Sequence, residues 1–498
     1  MKYTFLVLLI SGFYGLLAIE KPITGTVWDA QTNEPLPFTN VVIEGKYTGT
    51  VSNVDGHFVL DVEGIDPDQV IVFSYVGYET FKITAIELMN QEDVYLKPAT
   101  LNLNAVSVYS KQLTAEDIID KVKENYEVNH PKSNLKQRIF YHKYEKVQWP
   151  TENQIVLKES DFVGLDRSTF EDLFAMMPEQ FIEYHDAMVD LYSYDNEMKL
   201  EPIEAISLEE GSMEKLQKEV ENKLESFIED IENSQSDPDV YYKFRTGILA
   251  GKMDFDDEVE PDSIQIEQKK DSLNYLIHTD HLQSSINRMI ENWADIKSDN
   301  WGFINKTGKY NYVLGEVTIL NDELVYAISF TPQRSGLFEG HMYISTATFG
   351  ILQVDYAYAA GKKSENIHLL GFGHSMNDKK AHVIFEKTET GYFVKYINAE
   401  QQESASIDRA FSMMKKEKRF LFDKELNEIK MSVDLNFDMH LNLEILVLDR
   451  EAIDSDQFEK VSQPKITKFR KEFAYSPEVW NNRTVIAPSA DLQKFKRK

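Results

Sequence analysis

His142 and Glu145 stand three residues apart, the His-x-x-Glu spacing with which two side chains can grip one zinc ion. A catalytic zinc site also needs a third ligand, an open coordination position and a general base. Residues 137–147 read as a β-strand, and in a strand a step of three sends two side chains to opposite faces. The pair is expected to point apart, and no zinc is assigned to it. Asp254, Asp256, Glu258 and Asp262 space their oxygens as a calcium loop would. Val259, however, takes the place of the turn glycine, and Gln265 that of the terminal bidentate glutamate. His278 and His281 form a three-residue helical pair, read as structural, and the rest of the 11 histidines are scattered. No His-Glu-x-x-His, Gly-x-Ser-x-Gly, phosphate-binding loop or dinucleotide-binding glycine pattern occurs. No residue is therefore assigned a catalytic, cofactor-binding or metal-binding role, and no cofactor is expected.

The elements that would have to carry any site change type along the chain. Short apolar runs at 23–28, 38–43, 48–52, 57–62, 69–76, 78–84 and 93–97, separated by turn residues, predict a seven-stranded β-sandwich over 19–98. Phe58, Leu60 and Val62 alternate with outward His57 and Asp61, and Asp55-Gly56 is a tight turn in which glycine accepts positive φ. Residues 99–113 read as a linker. Thr114, with Asp117 three positions on, caps a helix that places Ile118, Ile119, Val122 and Tyr126 on one face.

Helical periodicity leads to the expectation of a mainly helical, acidic region over 114–300. Its stripe Met213, Leu216, Val220, Leu224, Phe227 and Ile231 is read as core. Period-two alternation then predicts an antiparallel sheet over 301–461, with strands at 310–319, 323–331, 341–345, 351–358, 381–388, 392–398, 428–437 and 439–448. A C-terminal tail follows over 462–498. The fold class is thus multidomain: a sandwich followed by an α+β region.

Gly25-Thr26-Val27, Asp29, Glu34-Pro35-Leu36-Pro37, Val41-Val42-Ile43, Gly49-Thr50, Asp55-Gly56-His57-Phe58 and Ser74-Tyr75-Val76-Gly77-Tyr78 occur in this order. Together they resemble the carboxypeptidase-like regulatory domain, a transthyretin-like sandwich. In zinc carboxypeptidases that module follows the catalytic domain and carries none of its chemistry. Placed first, as here, it is similar to the N-terminal extension of envelope proteins of Gram-negative bacteria. The run Val325–Thr331 with Gly340–Ile344 resembles the curved half-barrel of periplasmic lipoprotein carriers, a likeness at the level of fold.

Lys2, the apolar run from Phe5 to Ala18 and the polar Glu20-Lys21 form a signal peptide over 1–18. The run is shorter than the roughly 18–20 apolar residues of a spanning helix, so the mature form is expected to lack a transmembrane helix. With no cysteine, disulfides, thiolate metal sites and a cysteine nucleophile are excluded. With 53 basic and 83 acidic residues the net charge is −30, which repels nucleic acid. Residues 197–267 hold 21 acidic and 7 basic side chains, a net of −14.

The expected function is a non-catalytic binding or assembly protein, exported and either periplasmic or outer-membrane associated, with the sandwich as docking module. Its partner would be an envelope protein or an apolar or extended ligand on the 310–448 sheet; no oligomeric state is assigned. The alternative is a hydrolase with a site of dispersed carboxylates and histidines. Carboxylates converging in a pocket would favour the hydrolase, and an apolar groove or open edge the binding protein.

Overall fold

The computed structural model describes residues 22–61, 64–99, 113–150, 153–235, 237–246, 249–253, 274–476, 480, 483 and 485–496. The signal segment 1–18, nearly all of the 99–113 linker and the calcium-like group Asp254, Asp256, Glu258 and Asp262 lie outside the described residues.

All seven expected sandwich strands form. Ile23–Asp29 runs antiparallel to His57–Leu60 and parallel to Asp93–Leu96. Facing them is a sheet ordered Gly49–Val51, Asn40–Ile43, Val70–Ser74, Phe81–Thr84. Val27, Val41, Phe58, Leu60, Ile71 and Phe73 fill the space between, while His57 stays exposed. Gly56 has φ +78°, and a Cβ there would come within 2.9 Å of the Val27 carbonyl oxygen. Both the backbone angle and the close approach therefore demand glycine.

Everything that follows is built around one 16-stranded sheet. The expected mainly helical region 114–300 is corrected here. Helices Ala115–Asn129, Arg167–Ala175, Ser212–Gln235 and Thr279–Ala294 are present, but so are strands Leu135–Gln148, Gln154–Ser160, Gln180–Tyr194, Glu197–Glu209, Val240–Thr246, Leu249–Met253 and Asn274–His278. Their alternation is masked because charged side chains sit inside the pattern, paired across neighbouring strands. Arg138 reaches Asp190 at 2.9 Å and Lys143 reaches Glu183 at 3.1 Å. Leu135–Gln148 lies between Gln180–Tyr194 and Lys424–Ala452, at the centre of the sheet.

The expected strands 428–437 and 439–448 are one 29-residue strand, Lys424–Ala452, paired with the 26-residue Tyr392–Glu417. Ser364–Leu369 is a further strand. The Asn321-Asp322 turn has both residues at positive φ, 52° and 60°, which matches the twist of the hairpin it closes. The path ends at Asn274–His278 on one side and Tyr310–Leu320 on the other, and among the described residues the sheet does not close into a barrel.

Each face of the sheet has its own cover. On one, Ile118, Ile119 and Val122 of the first long helix join Leu282, Ile286, Met289 and Trp293 of the last. With Trp301 and Phe303 they pack on Ile139, Val189, Val354, Ile397 and Ile445. On the other face, Phe140, Tyr184, Met188, Tyr396 and Leu446 meet Val51 of the sandwich and Trp480, Val485, Ile486, Leu492 and Phe495 of the tail. The sandwich and tail thus cover what was expected to be a free sheet surface, leaving clefts at the seam. Leu224, Phe227 and Ile231 of the Ser212–Gln235 helix pack against Leu157, Phe162, Tyr242 and Ile429, so that part of the stripe is core as expected. Among the described residues no helix is long and apolar enough to cross a membrane.

Candidate functional site

Strand periodicity builds the site. Along Leu135–Gln148, Ile139 and Tyr141 point to the helices, while Phe140, His142, Tyr144 and Lys146 point to the sandwich side. Neighbouring strands repeat the pattern, adding Tyr184 and Asp186, Asn398 and Glu400, and His440, Asn442 and Glu444. Trp480 and the segment Val485–Leu492 close the other wall, with Asn53 and Val54 of the sandwich at the rim. The enclosed cleft measures ≈400 Å³. A second cleft of ≈590 Å³ continues from it, sharing Val54, Asn398 and Glu400, and is lined by Phe38, His341, Asp355 and His382.

The charged groups in these clefts are paired. His142 Nδ1 lies 2.5 Å from Asp186 Oδ1. Burial opposes the protonated ring, yet the Asp186 carboxylate, with Glu444 nearby, outweighs it and raises the His142 pKa. Glu400 is held between Lys380 at 3.0 Å and His440 at 3.4 Å. Burial alone would push its carboxyl up, but these two cations hold it below the ordinary range. Glu444 accepts from the Tyr396 hydroxyl and, at 2.9 Å, from Asn398. In the second cleft Asp355 pairs with His382 and accepts from Gln353 at 2.8 Å. Burial again works against its charge, and His382 again prevails, lowering the Asp355 pKa.

The seam is held by hydrogen bonds from several elements. Asn53 Nδ2 donates to the Ala487 and Pro488 carbonyls, both at 3.2 Å, and Gly77 N donates to Ile319 O at 3.0 Å. Ser74 bonds Asn321 at the hairpin turn. Phe38, in the left-handed region at φ +60°, stacks its ring on His382 with centroids 4.4 Å apart. Such a backbone costs roughly 1–3 kcal/mol, and it persists because the docked interface holds it. Between Ile384 and Phe385 the register shifts and leaves Lys395 as the bulged residue. That bulge aims its fully buried amine at the Tyr47 carbonyl, 3.1 Å away.

His142 and Glu145 fall on opposite faces of their strand: His142 lines the cleft, while Glu145 joins Lys143 and Glu183 on the other side. His278 immediately precedes the helix that carries His281, with the two rings 5.2 Å apart, away from the cleft. Sequence reasoning missed Asp186, Glu400, His440, Glu444, Asp355 and His382 as a group. The available signal was the run of polar residues at every second position on several strands.

Residues 23–108 match the family model of the CarboxypepD_reg-like domain. The TonB-dependent receptor P3 of Formosa agariphila is 34% identical over 79 residues, 16% of this chain and 8% of the relative. The TonB-dependent receptor SusC of Bacteroides thetaiotaomicron is 38% identical over 106 residues, 21% of this chain and 10% of the relative. The chain therefore spans about a tenth of the length of these relatives. Among solved structures, MucB in complex with MucA(peri) aligns over 72% of this chain and 99% of that one, at 6% identity. Its TM-score of 0.18 does not establish a shared fold. Taken with the two facing sheets, the family match makes the N-terminal unit of this chain a CarboxypepD_reg-like domain, here packed onto a much larger β-sheet.

Proposed function

We propose that the chain is a non-catalytic binding or assembly protein of the bacterial envelope, exported and either periplasmic or outer-membrane associated, with the sandwich as its docking module. The similarity to TonB-dependent receptors over the matched stretch supports the location. The observation that carries the binding role is the cleft where sandwich, tail and sheet meet. It has aromatic walls at Phe140, Tyr144, Tyr184 and Trp480 and hydrogen-bonding groups along its floor. Such a mixture suits an extended or amphipathic ligand: apolar side chains fill the walls, and paired polar groups fix the orientation. The tail already lies extended along this face, its Val485, Ala487 and Pro488 carbonyls accepting from Thr50 and Asn53. A partner segment of similar character would use the same kind of contact.

A second reading, a hydrolase, is favoured by one feature: Asp186, Glu400 and Glu444 converge with His142 and His440 on a single cleft. Against it, each carboxylate is already engaged by a neighbouring donor or cation. One set of measurements separates the two. Fluorescent fatty-acyl probes and extended peptides should bind the full chain and bind at least tenfold more weakly to Asn442→Trp, which fills the cleft floor. Failure of every probe would count against the cleft as a ligand site. Turnover of ester, amide or glycoside substrates by the parent, abolished in His142→Gln, would establish the hydrolase instead.

A further inference from the structure

The longest hairpin of the sheet ends in three consecutive large apolar residues that nothing covers. Glu417 pairs with Lys424 as the last rung, and the turn between them carries Phe420, Leu421 and Phe422, with relative exposures of 101%, 78% and 86%. The turn is braced. Lys418 N donates to Asp239 O at 2.7 Å, Lys418 Nζ to Pro238 O at 2.6 Å, and Tyr241 OH to Asp423 Oδ2 at 2.6 Å. A fixed turn that holds its apolar side chains outward differs from a surface with scattered exposed residues, which needs no explanation. A second exposed apolar residue sits towards the same end. Val163, 77% exposed, lies two residues after Asp161, which bonds Glu428 and Asn427 on the same hairpin.

We infer that this hairpin tip is a membrane-docking wedge that seats in the interface of a lipid bilayer bearing anionic headgroups. Three adjacent residues at a turn project to different sides, so they present no flat face to a folded partner, whereas a bilayer receives them from every direction. Charge points the same way. In a chain of net charge −30, the turn from Lys418 to Lys424 holds Lys418, Arg419 and Lys424 against one carboxylate, Asp423. Apolar insertion supplies the attraction, and the local cations offset the repulsion between an acidic chain and an anionic surface; the carboxylates of Asp237 and Asp239 in the neighbouring turn limit how far they do so. The inference does not rest on the cleft or its ligand.

The test uses vesicles of phosphatidylethanolamine and phosphatidylglycerol, about 3:1, with the full chain. Parent and variants share one N-terminus, so any binding by residues 5–18 is common to all. The triple variant F420S/L421S/F422S should bind vesicles at least tenfold more weakly than the parent. Leu421→Trp should show blue-shifted emission on vesicle addition and quenching by brominated acyl chains. Lys418→Glu with Arg419→Glu should weaken binding to these vesicles more than to neutral ones. Unchanged emission from Leu421→Trp, or equal binding by parent and triple variant, overturns the wedge. A lipid-free oligomer that disappears in the triple variant, together with an unshifted Leu421→Trp spectrum, assigns the tip to self-association instead.

Discussion

The two faces of the large sheet treat histidine in opposite ways. On the helix-covered face His130 stacks on Tyr126 and meets Phe385 edge-on, and His185 stacks on Tyr275 beside Phe469. Burial among rings pushes both down to about 4, so they are neutral at physiological pH. On the sandwich-covered face His142 is also buried, but Asp186 sits at 2.5 Å and its pKa rises instead. Burial is common to all three; the partner decides the sign. One face is a dry core whose role is stability, and the other is a paired polar floor beneath a cleft, consistent with a binding surface.

Substitution in the dry core should have the largest effect. Trp301 is fully buried and donates from Nε1 to the Trp293 carbonyl at 2.8 Å. Trp301→Ala removes a large side chain and strands that carbonyl, and should cost about 3–5 kcal/mol in denaturant unfolding. A loss under ~1 kcal/mol would show that this face is not the main core.

Acid should come next. His130 has a folded pKa of about 4 against an ordinary value of 6.5. Its stabilising contribution is present above about 6.5 and is lost as the pH falls towards 4. That shift amounts to about 3 kcal/mol. His130→Gln should flatten the acid limb of a stability-versus-pH curve, while an unchanged limb would remove His130 from the cause of acid lability.

The smallest effect belongs to the cleft pair, and it carries the opposite sign. Because the folded pKa of His142 is raised, its contribution is fully present below about 6.5 and disappears as the pH rises through the folded value. Asp186→Asn should therefore destabilise by about 1–2 kcal/mol at pH 5 and by progressively less at higher pH. A deficit that grows with pH would mean that the two faces do not differ in the way described.

Much of the architecture could be read from residues alone. The seven sandwich strands, the Thr114-capped helix, the Asn321-Asp322 hairpin and the opposite orientations of His142 and Glu145 all follow from period, capping and turn chemistry, which are local. Strands such as Gln180–Tyr194 were not legible. Their charges at Glu183, Asp186 and Asp190 find partners on a strand about 40–50 residues away, and alternation counted along one segment registers them as exposed. The cleft is less local still.

The sequence by itself determined the sandwich, the absence of thiol chemistry and the acidic character of the chain, because each depends on composition or on neighbours a few positions apart. Only the tertiary structure decided that the sandwich and tail cap one face of the sheet. The same packing brings Asp186, Glu400 and Glu444 to a shared floor. Those contacts join residues as far apart as Asn53 and Pro488, and their partners are chosen by packing and by the need to pair every buried charge.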